Sequence, residues 1–123
     1  MNFELTQDQQ SIRQMVREFA QTDLLPSVRA RDKNSQFPLE AFRKLGETGL
    51  YGLPYPTELG GLSGSYLSYI LAVEEVSKVD AAFGIAFSVD TSLYGGSIAN
   101  SSAPAEIKKK FLAPITYGQK IGS

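Results

Sequence analysis

Carboxylates are the first side chains to weigh for chemistry here, because the 123 residues include neither His nor Cys. That absence removes the commonest general base, the thiolate nucleophile, Cys-ligated metals and every His-dependent triad. Glu74-Glu75 is the only adjacent acidic pair. Neighbouring residues on a helix project about 100° apart, so the two carboxylates do not converge on one atom. A di-iron bundle would require Glu-x-x-His motifs. The pair therefore reads as a solvated face or a buried ion pair rather than a catalytic dyad.

Three other stretches invite a functional reading. Gly60-Gly61-Leu62-Ser63-Gly64 precedes a predicted helix, yet it has neither dinucleotide nor P-loop spacing and no strand before it, so it reads as a structural turn. Lys108-Lys109-Lys110 offers an anion-steering patch, but three lysines on one amphipathic helix ordinarily keep its outer face wet. The stretch Phe83 to Tyr94 mixes bulky apolar residues with Gly, Ala, Ser and Thr and places a single acid, Asp90, among them. Small residues on a buried helix leave room for a partner domain or an apolar ligand. On composition alone, core packing is preferred for it.

The elements that would position these residues are helical. Thr6-Gln7-Asp8-Gln9 fits a capping box, and Ile12, Met15, Val16 and Phe19 follow at helical spacing, which predicts a helix over 6–24. Pro26 interrupts it or opens a second segment. Pro38 suits the first turn of a helix with a Leu39, Phe42 and Leu45 stripe, and Gly49 suits its C-terminal end. Over 65–78 the inward stripe is predicted as Tyr66, Tyr69, Ile70, Val73 and Val76, with Glu74, Glu75 and Lys78 pointing elsewhere. Asp80 caps the next helix, 81–99, which is apolar or small nearly all round. Over the last helix, Ile107, Phe111 and Leu112 are predicted to face inward, and Pro114 to stop it. The sum is an all-α, up-and-down bundle of about five helices.

Bulk composition narrows the partners. Twelve basic and thirteen acidic residues give a net charge of −1, which disfavours nucleic acid or an anionic membrane surface as the main partner. No run is apolar enough to span a bilayer, and the acidic N-terminus lacks the form of a signal peptide. A cytoplasmic, bacterial protein is expected.

In order along the chain, several blocks resemble the acyl-CoA dehydrogenase family. They are Asn2-Phe3-Glu4-Leu5-Thr6-Gln7-Asp8-Gln9, Phe37-Pro38 with Lys44-Leu45-Gly46-Glu47-Thr48-Gly49-Leu50, and Pro56-Thr57-Glu58-Leu59-Gly60-Gly61. Val73-Glu74-Glu75-Val76-Ser77, Thr91-Ser92-Leu93, Lys108-Lys109-Lys110-Phe111-Leu112 and Gly118-Gln119-Lys120-Ile121-Gly122 complete the set. The resemblance implies an N-terminal helical domain over 1–117, with 118–123 opening a middle β-domain that lies beyond the sequence. It implies a subunit that dehydrogenates an acyl-CoA thioester with FAD, passes electrons to electron-transfer flavoprotein and forms a homo-oligomer. In the family the catalytic glutamate and main flavin loops lie in the later domains, so this chain alone is expected to be inactive and without flavin. It further implies that Ile85, Ala86, Val89, Asp90 and Leu93 bind substrate as a wall of the acyl pocket, reversing the preference for plain core there. A stand-alone helical protein- or acyl-binding module, and a related flavin oxidase or monooxygenase, are the alternatives.

Overall fold

The computed structural model describes residues 1–123 and is built of helices and turns without a strand. Its α-helical segments are α1 (Gln7–Phe19), α2 (Val28–Lys33), α3 (Leu39–Gly46), α4 (Tyr66–Val79), α5 (Ala81–Ser88), α6 (Gly96–Ala99) and α7 (Ala105–Thr116). A π-helical turn (Ala20–Leu24) and a 3₁₀ turn (Leu25–Ser27) join α1 to α2, so Pro26 bends the run without ending it. A second π-helical stretch (Val89–Gly95) joins α5 to α6. The seven segments therefore form five continuous runs, the all-α bundle that the periodicity predicts. None is long and apolar enough to cross a membrane.

Local capping fixes where the principal runs begin. The Thr6 hydroxyl accepts from Gln9 N–H at 3.2 Å while Gln9 Oε1 accepts from Thr6 N–H at 2.9 Å, completing the predicted box. Ser65 Oγ accepts from Ser68 N–H at 3.0 Å and starts α4. Gln9 Nε2 reaches that same Ser65 hydroxyl at 3.4 Å, and Arg17 meets Glu75 further along, so α1 and α4 run side by side in one direction. At Asp80 the chain reverses. Its Oδ1 accepts from Phe83 N–H at 3.1 Å to cap α5, and its Oδ2 takes a 2.6 Å hydrogen bond from Arg31, tying in α2.

The core lies where α1, α3, α4 and α5 meet, with Val16, Leu24, Leu45 and Val76 buried around a series of aromatic rings. Phe42 stacks on Tyr51 at 4.3 Å between centroids, and Phe87 meets the Tyr51 and Tyr69 rings edge-on at 4.9 and 5.7 Å. Such contacts add about 0.5–1.5 kcal/mol per pair beyond area burial. The Tyr51 hydroxyl, fully enclosed, donates to Phe42 O at 2.7 Å. A smaller cluster of Tyr55, Leu112 and Ile115 secures α7.

Expectations about the facing of two helices and the end of one are corrected. On α4, Tyr69 and Val76 are buried as predicted, but Tyr66 and Ile70 are 58% and 47% exposed, while Leu71, Ala72 and Glu75 lie inside. The cause is that α4 packs between α1 and α5 and so covers two flanks rather than one stripe. Glu75 accordingly points inward, toward α1. On α7, Ile107 and Phe111 are half exposed and the buried residues are Leu112, Ile115 and Thr116. Pro114 does not stop this helix. One missing donor is tolerated because Ile115 is anchored in its cluster and the Thr116 hydroxyl donates to Leu112 O at 2.9 Å.

Candidate functional site

The run 81–99 has two faces of different chemistry. Inward it presents Phe83, Phe87, Asp90, Thr91 and Gly95, all buried. Thr91 Oγ1 donates to Tyr51 O at 2.8 Å, and Tyr55 Oη donates to Thr91 O at 2.6 Å, so this face is locked to the loop beneath it. Gly95 is required by that lock, since a Cβ there would overlap the Tyr55 hydroxyl.

Outward, Ile85 and Leu93 are 66% and 64% exposed, with half-buried Val89 between them at intervals of four residues. Ile85 and Val89 form one side of an open groove of about 310 Å³, and Val73 and Ser77 of α4 form the other. Asp90 is the sole charged residue of the run and faces inward, so the outer stripe carries no charge. A surface of this kind suits a hydrocarbon chain or another apolar surface and offers no acid or base to a reaction. Of the five residues singled out from the sequence, the structure brings Ile85, Val89 and Leu93 onto this stripe. Ala86 is half buried and packs on the core, and Asp90 is enclosed. Val73 and Ser77 were missed. Their small side chains, four residues apart and facing the Ala81/Gly84 turn, were the available signal.

Asp90 is electrostatically unusual. Its Oδ1 accepts from Gly122 N–H at 2.5 Å, and its buried Oδ2 has no partner. Burial pushes the carboxyl up to about 7, with the Gly122 amide pulling the other way. Burial likewise raises the Tyr51 and Tyr55 hydroxyls, with the Asp90 charge adding to it.

Glu75 has the opposite setting. Hydrogen bonds from Arg17, and then from Lys78 and Arg13, hold it down to about 2 despite its burial. Arg17 contacts both carboxylate oxygens at 3.1 Å, Arg13 lies at 3.0 Å and Lys78 at 2.9 Å. Glu74 lies outside at 52% exposure, 3.8 Å from Lys78. Of the two readings left open by the sequence, Glu75 is the buried ion pair and Glu74 the solvated face.

The remaining motifs are structural. All five amides of Gly60 to Gly64 donate to backbone carbonyls, among them Leu62 N–H to Gly52 O and Gly64 N–H to Leu53 O, which leaves none for a phosphate. Lys108 Nζ donates to Ala99 O at 3.0 Å and closes the end of α6. No grouping of three acidic, His or Cys side chains suitable for a metal is present.

The structure is thus an all-helical bundle whose longest apolar run turns an uncharged stripe outward. The chain belongs to the acyl-CoA dehydrogenase family: the family model described as acyl-CoA dehydrogenase, N-terminal domain, matches residues 6–119. It is 44% identical over all 123 residues to the short-chain specific acyl-CoA dehydrogenase of Clostridium acetobutylicum, covering 32% of that protein. Among solved structures it matches a chain in that of an electron transferring flavoprotein of Acidaminococcus fermentans, at 45% identity and a TM-score of 0.93. It also matches butyryl-CoA dehydrogenase from Megasphaera elsdenii, at 35% identity and a TM-score of 0.89. Both matches cover 98% of this chain and 32% of the other. The chain thus spans about a third of the length of the relatives it resembles.

Proposed function

We propose that this chain is the helical part of a flavin-dependent acyl-CoA dehydrogenase and that Ile85, Val89 and Leu93 wall the acyl end of its substrate pocket. The observation that carries this reading is the exposed, uncharged stripe on a run whose single acid is turned inward. Family membership supports an acyl-CoA thioester as the substrate. FAD, when bound in the whole protein, supplies hydride acceptance. The residues present here do not fit a flavin cradle, because the one glycine-rich loop spends its amides on its own turns, so no step is assigned to FAD through this chain. Its own contribution is to exclude water and limit how long an acyl tail can lie against the stripe. Residues 118–123 open the middle domain, and the whole protein is a cytoplasmic homo-oligomer that passes electrons to an electron-transfer flavoprotein.

The test is a chain-length series in the full-length protein carrying this domain. Val89→Phe and Leu93→Phe should lower kcat/KM for the longest acyl-CoA substrates tenfold or more, about 1.4–3 kcal/mol, and leave the shortest within about twofold. Ala86→Leu should instead act through stability, because Ala86 packs on the core. Equal losses at every chain length for Val89→Phe and Leu93→Phe would refute the pocket-wall reading.

A further inference from the structure

Past Lys120 the chain has a single hydrogen bond to the rest of the molecule. Gly118 N–H donates to Ile115 O, and the Gln119 and Lys120 amides donate to Pro114 O, all at the end of α7. Gly122 N–H alone crosses to another element, reaching Asp90 Oδ1. Gly122 is buried while Ile121 and Ser123 beside it are exposed. It lies over the Tyr94 ring so closely that a Cβ would overlap the ring atoms. Shape and hydrogen bonding therefore select the same residue for this contact.

The other end of the contact is incomplete for a charged group. Asp90 Oδ2 is buried without a donor. The hydroxyls that face it are committed elsewhere, Tyr51 to Phe42 O and Tyr55 to Thr91 O. The nearest cations in the segment's groove, Lys110 and Lys120, line it with Gly122 and Tyr94 and form no ion pair with Asp90. No other residue of the run 81–99 is charged. A carboxylate here would keep one hydrogen bond and lose its water on the other oxygen, whereas a neutral acid gives up much less.

We propose that Asp90 is a positioning residue for the segment 118–123, gripping Gly122 as a neutral acid and loosening that segment when it ionises. This goes beyond the pocket wall and does not depend on it. The direction follows from linkage. In the closed arrangement burial holds the carboxyl near 7, and with the segment lifted water returns it to the ordinary range near 4. Closure is therefore strongest below about pH 4, weakens up to about pH 7 and changes little above that.

Amide hydrogen exchange at Gly122, followed by NMR from pH 4.5 to 8 with α1 amides as internal reference, tests the proposal. In the wild-type chain the protection factor should fall by at least tenfold between pH 4.5 and 7 and then level off. Asp90→Asn keeps the shape and the acceptor, so its protection should be independent of pH. Asp90→Ala should leave Gly122 unprotected throughout. A wild-type profile that matches that of Asp90→Asn, or full protection retained in Asp90→Ala, would overturn it. If Asp90→Ala does not fold, the comparison with Asn decides alone.

Discussion

Replacing Glu75 by Gln keeps the volume of the side chain and removes the charge on which Arg13, Arg17 and Lys78 converge. Lowering a carboxyl from 4.5 to about 2 corresponds to about 3 kcal/mol, at about 1.4 kcal/mol per factor of ten. Glu75 itself is 2% exposed, but the three cations are 38–48% exposed. Water and salt screen them, and roughly half of that figure should survive. Glu75→Gln is therefore expected to cost about 1.5–2 kcal/mol at pH 7, near 5–8 °C in Tm for a domain of this size. Because the folded-state pKa is depressed, the contribution is complete above about pH 4.5 and is lost as pH falls through about 2. Thermal unfolding followed by circular dichroism, wild type against variant at each pH, should show most of the difference gone by pH 2.5. It should also shrink in 1 M NaCl, where screening acts over about 3 Å. A variant as stable as wild type at pH 7, or a deficit that persists unchanged at pH 2.5, would refute the electrostatic account.

Gly95→Ala and Gly96→Ala should diverge although the positions are adjacent. At Gly95 the new methyl meets the Tyr55 hydroxyl, while at Gly96 it finds only Thr91 O at 3.7 Å. Urea unfolding should show Gly95→Ala destabilised by about 2 kcal/mol or more and Gly96→Ala unchanged or up to about 1 kcal/mol more stable. Tyr51→Phe removes the donor to Phe42 O and should cost about 1–2 kcal/mol, measured the same way. Asp90→Asn should raise stability at pH 8 by about 1–3 kcal/mol and converge with wild type near pH 4. The raised carboxyl favours folding below its unfolded pKa, and that advantage is lost as pH rises toward about 7. A constant offset across that range would count against an enclosed carboxyl.

What was legible in the sequence was local. The Thr6–Gln9 box and the Asp80 cap involve partners three residues apart, and both are present. The five runs followed from hydrophobic spacing and proline placement. Illegible was anything decided by packing across long separations: Glu75 meets Arg13 and Arg17 from 62 and 58 residues away, and Asp90 meets Gly122 across 32. An acid beside the apolar flank of α4 and a lone acid in an apolar run were the only visible traces of either. The outward position of Tyr66, Ile70, Ile107 and Phe111 was hidden for a related reason. Spacing shows that a helix has an apolar side, but not how many neighbours share it.

The π-helical stretch Val89–Gly95 makes this region unequally tolerant of inherited change. Substitutions at the exposed stripe residues Ile85 and Leu93 leave the packing of the bundle alone. Relaxation of the stretch to ordinary α-helix at its present length would turn everything after it by about 100°. The glycine under Tyr55 would then move off its hydroxyl, and α7 would lose the seat formed with Tyr94, Ile98 and Ala99. Descendants of this chain should therefore vary the stripe only as far as its occupant allows and without cost to the bundle, while Thr91 and Gly95, which lock the inward face of the stretch, stay fixed.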